Sequence, residues 1–110
     1  MTGKKVLSKY TINALVLLGK RIQLGRKNHK WSEQELAERA GVSRSTVQKI
    51  ERGDPGSAIG TVFELAALVG EVLFEPEAKG LQAKISVTND KLAILPQKVR
   101  KPRKTPSDAF

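Results

Sequence analysis

Leu15, Leu18 and Ile22 recur at three- and four-residue intervals inside a proline-free stretch from Thr11 to Asn28, the spacing that stacks side chains on one face of an α-helix. The pattern predicts a first helix over 11–28, with Arg21, Arg26 and Lys27 lying largely off the apolar line. Gly19 and Gly25 cost such a helix roughly 1 kcal/mol each relative to Ala, and a small residue on the apolar side lets another helix approach closely. Ser32 stands three residues before Glu35, a capping-box spacing in which each side chain satisfies the other's free backbone N–H. A second helix therefore runs from Glu33 to Ala40, and Gly41 can close it in the left-handed conformation. Ser43 offers an N-cap to a third helix, 44–52, with Val47 and Ile50 facing inward and Gly53 ending the run. DPGS at 54–57 reads as a turn. A fourth helix follows over about 58–69, its buried stripe formed by Val62, Leu65, Ala66 and Val69, with Gly70 beyond its end.

Beyond Gly70 two signals compete. ISVT at 85–88 has strand-like propensity, but Phe74, Ala78, Leu81, Ile85, Thr88, Leu92 and Leu95 alternate steps of four and three, a heptad seam over three repeats. The longer period predicts a fifth helix over about 77–94, with Pro76 near its first turn and Pro96 stopping it. Its apolar line needs cover, either from the four-helix core of the same chain or from a second subunit. The expected fold is all-α and compact: a basic arm over 1–10, a helix-turn-helix domain over 11–73, a C-terminal helix over 74–95 and a basic, proline-containing tail over 96–110.

Charge sharpens this picture. Lys and Arg number 20 against 11 Asp and Glu, a formal net charge of +9, and residues 1–30 hold eight basic side chains and no acidic one. The stretch 96–110 holds five basic residues and one acidic. Both ends suit a polyanion, nucleic acid or an anionic membrane surface, although Lys-rich ends also serve solubility. Absence of cysteine excludes disulfides, thiolate metal sites and a cysteine nucleophile, and fits a cytoplasmic location. The longest near-apolar run, Ala14 to Leu18, is far short of the ~20 residues of a membrane span, and the start lacks a signal core. His29 is the one histidine; no nucleophile–base pair, phosphate-cradling loop or metal motif is recognisable, so neither enzymatic activity nor a cofactor is expected.

Seven positions around Gly41 carry the residue types that two helices joined by a tight turn require. Leu36 and Ala37 sit at the crossing, Ala40 packs below, Gly41 turns, Val42 plugs the corner, and Val47 and Ile50 complete the interior. In a helix-turn-helix unit the second helix enters the major groove of double-stranded DNA. Its outward positions are Arg44, Ser45, Gln48 and Lys49, the candidates for base readout. Arg44 leads, because a guanidinium can donate two parallel hydrogen bonds to guanine O6 and N7; the alternative for it is a surface pair with Glu33 or Glu51. Ser43, Thr46 and Ser57, with unpaired N–H groups expected near Ser43 and Gly56–Ser57, are candidate phosphate contacts, as are Gln34 and Arg52.

ELAERAGVSRSTVQKIERG, with its flanking helices, resembles the five-helix DNA-binding domain of the Xre/Cro-repressor family over about residues 15–72. The resemblance implies a sequence-specific transcriptional repressor. It departs at Glu33, where the family most often has a phosphate-contacting glutamine; here Gln34 is the nearest substitute. The stretch ERGDPGSAIGTVFELAALVGEVLFEP, then LAILPQKVRKPRK and Phe110, is similar to HipB-like antitoxins. That likeness implies a homodimer that represses its own operon and binds a HipA-type serine/threonine kinase toxin; a plain Xre-type regulator with no toxin partner is the alternative. The tail's charge suits DNA, whereas Phe110 suits docking in a pocket of the toxin.

Overall fold

The computed structural model describes residues 6–99, and these contain five α-helices and no strand. They are α1 (Lys9–Asn28), α2 (Glu33–Ala40), α3 (Arg44–Glu51), α4 (Ile59–Val69) and α5 (Ala78–Ile94). Two compact units are distinguished, one through Phe74 with α1 to α4 and one from Glu75 with α5. Residues 1–5 of the expected basic arm, and 100–110 with Phe110, expected to dock on a toxin, lie outside the described residues.

α1 begins two residues earlier than its apolar pattern indicates, so Lys9 and Tyr10 of the expected arm are helical. The cause is a cap: Ser8 Oγ accepts the Thr11 N–H at 3.2 Å, and an apolar stripe that starts at Leu15 cannot report it. α2 has the predicted bounds and both halves of its capping box, with Glu35 N–H donating to Ser32 Oγ at 3.0 Å and Ser32 N–H donating to Glu35 Oε1 at 2.8 Å. Gly41 closes it at φ 70°, a region where a β-carbon is strained. α3 is one residue shorter than expected because Arg52 is its C-cap.

The core consists of Ile22, Leu36, Ala37, Val47, Ile50, Leu65, Ala66 and Val69, with Leu18, Ala40, Val42 and Val62 packed half-buried against it. Gly19 is where α1 meets the end of α3: a β-carbon there would lie 2.6 Å from the carbonyl oxygens of both Ile50 and Glu51. The close approach foreseen for a glycine on this face is thus a backbone contact, one that any side chain would prevent.

Arg26 corrects the reading of α1. It lies not off the apolar line but within the interior, its side chain 7% exposed, one turn beyond Ile22 on the same face. Nε donates to Glu51 Oε2 at 2.7 Å, Nη2 to Glu51 Oε1 at 3.0 Å and Nη1 to the Trp31 carbonyl at 2.9 Å. A guanidinium taken out of water is tolerated only when its donors are satisfied. The hydrogen bonds to Glu51, opposed by burial, raise the Arg26 pKa and keep it charged. The pair ties α1 to α3, and Trp31, stacked on His29 at 4.4 Å, lies beneath the Arg39 guanidinium at 4.2 Å.

In the second unit ISVT is helical, as the longer period predicts, and α5 has no buried residue. Leu81, Ile85, Leu92 and Leu95 of the heptad seam are 39%, 59%, 60% and 60% exposed, so the second unit does not bury them within itself.

Candidate nucleic-acid interface

Burial of Val47 and Ile50 fixes the roll of α3 and thereby decides which side chains face outward. Arg44, Ser45 and Lys49 are exposed. Gln48, expected outward with them, is half-buried, because its Nε2 donates to Glu33 Oε1 at 3.0 Å. Arg44 Nε donates to the same oxygen at 3.1 Å. Glu33, at the first turn of α2, therefore holds two of the four base-readout candidates on one atom. Hydrogen bonds from Gln48 and then Arg44 keep its carboxyl below the ordinary value of 4.5, so it is ionised at neutral pH. Its charge on this face is met by Arg44.

The phosphate candidates are distributed around this centre. Ser43 caps α3 by accepting the Thr46 N–H at 3.1 Å, and the two hydroxyls lie 2.9 Å apart. Thr46, Lys49 and Ser57 border one surface recess, also lined by Asp54. Arg52 is not among them; it borders a second recess with Lys20, Gln23, Glu33 and Gln48. Gln34 is exposed and donates to Glu38 at 3.2 Å, along its own helix. One expectation is corrected: the N–H groups of Gly56 and Ser57 are taken, the first by Asp54 Oδ1 at 3.1 Å and the second by the Asp54 carbonyl at 3.3 Å. Asp54 folds the turn back on itself, and α4 opens later, at Ile59, behind Ala58 and without a side-chain cap.

The expectations for Glu33 were a surface pair with Arg44 and a departure from the family's phosphate-contacting glutamine; its hold on Gln48 was not among them. The available signal was the departure at 33 itself, an acid where a neutral amide is usual. The Arg26–Glu51 pair was also missed, though its signal was present: 26 is four residues after Ile22 and 51 four after Val47, so opposite charges continue two buried stripes.

Residues 22–72 match the family model described as Helix-turn-helix, a span that runs from the middle of α1 to just beyond α4. The match supports the Xre-type helix-turn-helix family for this part of the chain, and with it a DNA-binding transcriptional regulator of a generally non-enzymatic kind. No curated protein and no solved structure matches the chain. Among the described residues no helix is long and apolar enough to cross a membrane.

Proposed function

We propose that the chain is a sequence-specific repressor that reads operator DNA through α3, works as a homodimer in the cytoplasm, and serves as the HipB-like antitoxin of a pair whose toxin is a HipA-type serine/threonine kinase. The observation that carries the DNA-reading part is the roll of α3, which buries Val47 and Ile50 and turns Arg44, Ser45 and Lys49 to solvent. Arg44 and Gln48 read bases, with Ser45 and Lys49 beside them; Ser43, Thr46, Ser57, Arg52 and Gln34 approach phosphates. A single reading helix covers few base pairs, and a two-fold dimer sets two of them about one DNA turn apart, roughly 34 Å. The exposed seam of α5 supports pairing, with Leu81, Ile85, Leu92 and Leu95 covered by the same helix of a second copy.

The toxin-binding part rests on the likeness of 51–76 and of the tail to HipB-like antitoxins. Phe110 enters a toxin pocket while α3 holds DNA. The test combines promoter footprinting, sedimentation and calorimetry on the full chain and on a chain ending at Gln97. An inverted-repeat footprint, a dimer that Ile85→Asp with Leu92→Asp dissociates, and toxin affinity lost on truncation with DNA binding largely kept are the expected results. A chain monomeric at micromolar concentration and on DNA contradicts the dimer. Toxin affinity that survives truncation contradicts docking by the tail, and a chain with no toxin affinity at all is a plain regulator.

A further inference from the structure

We infer that Glu33 is a positioning residue that sets the base preference of α3, turning Arg44 toward guanine and Gln48 toward adenine; this rests on the DNA-reading function proposed above. The starting observation is that one carboxylate oxygen, Oε1, accepts from both Arg44 Nε and Gln48 Nε2 at 3.1 and 3.0 Å.

The chemistry of each group then dictates what is left to offer. Arg44 spends Nε on Glu33, which leaves the end-on pair of N–H groups, one from each terminal nitrogen, uncommitted to the carboxylate. That fork matches the O6 and N7 acceptors of guanine. A carboxylate accepts and cannot donate, so the amide that meets it must present its NH2. The usual ambiguity in amide orientation is thereby removed for Gln48. Its carbonyl oxygen and second N–H remain, the acceptor and donor that pair with N6 and N7 of adenine. Arg44 and Gln48 stand one helical turn apart, about 6 Å along α3, so the guanine and adenine they read fall within roughly two base steps.

An acid on a face meant for DNA costs general affinity, since it repels phosphates. Glu33 has 27% of its side chain exposed and Arg44 60%, so the acid is the more sheltered member and the cation the more presented one. Lost orientation matters because a long side chain free to rotate can serve several bases or a phosphate, whereas a tethered one is aimed before DNA arrives.

The experiment is selection from a pool of random duplexes with the full chain, followed by affinity for the enriched sequence and for random duplex. Wild type, Glu33→Ala and Glu33→Gln are compared, each checked for its helical spectrum. Glu33→Gln keeps a carbonyl oxygen that can accept both bonds while losing the charge. Glu33→Ala should flatten the preference at the guanine and adenine positions and lower the ratio of specific to random binding about tenfold, with random-duplex affinity equal or higher. Glu33→Gln should keep the preference. In the Arg44→Ala background, Glu33→Ala should leave the guanine position unchanged. A Glu33→Ala chain that keeps the wild-type preference overturns the assignment, as does a Glu33→Gln chain that loses it equally, which would mean that charge and not a fixed acceptor is at work. If the wild type enriches no sequence, DNA reading itself fails and the assignment with it, a result distinct from either of these.

Discussion

Replacing Glu51 by Ala removes the partner of a buried charge, the Arg26 guanidinium. Arg26 makes two hydrogen bonds to the Glu51 carboxylate, at 2.7 and 3.0 Å, and one to the Trp31 carbonyl. The two side chains are 7% and 5% exposed. Without the carboxylate the guanidinium keeps a single acceptor and has no counter-charge. Breaking one side of such a pair costs about 3–5 kcal/mol, against a total stability of roughly 5–15 kcal/mol for a domain of this kind. At about 4–8 °C per kcal/mol for a small domain, the melting midpoint should fall by at least ~12 °C. Urea titration followed by circular dichroism measures the loss directly. The companion double variant, Arg26→Met with Glu51→Leu, removes both charges and leaves apolar groups of similar length, so it should regain most of the stability. A loss below about 1 kcal/mol in Glu51→Ala, or a double variant no more stable than Glu51→Ala, would refute a pair that is desolvated and mutually dependent.

Two further outcomes follow from the same packing. Gly19→Ala should lower stability by roughly 1–3 kcal/mol through overpacking against the Ile50 and Glu51 carbonyls, even though Ala favours a helix by about 1 kcal/mol; a more stable variant in the same titration means that α1 and α3 separate freely. Glu33 has a folded carboxyl value held below 4.5, by Gln48 first and Arg44 next, so its contribution is full above 4.5 and fades as pH falls through the folded value. The stability of wild type relative to Glu33→Ala should therefore shrink on acidification below about 4.5, and urea midpoints whose gap stays constant or widens there contradict the linkage.

How far the chain could be read from its residues depended on what kind of signal each feature leaves. α2 and the Gly41 turn came out as expected because Ser32, Glu35 and Gly41 act locally, through the backbone within three or four residues. α5 was readable against its strand-like ISVT because five positions within it, Ala78, Leu81, Ile85, Thr88 and Leu92, keep one heptad phase and outweigh four residues of propensity. What escaped was long-range polar pairing. Arg26 and Glu51 are 25 residues apart and Glu33 and Gln48 are 15 apart; a rule that sends charges outward has no means of joining them. Gly56 and Ser57 were expected to keep free N–H groups as a helix start, whereas Asp54 takes both and α4 opens at Ile59.

The most direct measurement of the central claim, that the outward face of α3 reads operator DNA, is the affinity of the full chain and of Arg44→Ala for the selected operator and for a random duplex across a range of salt. The wild type should prefer the operator by at least ~1,000-fold, with both affinities falling steeply as salt rises because phosphate contacts release counterions. Arg44→Ala should lose about 1–3 kcal/mol on the operator and far less on the random duplex. Equal wild-type affinity for the two sequences, or an Arg44→Ala chain weakened alike on both, would contradict readout by this helix.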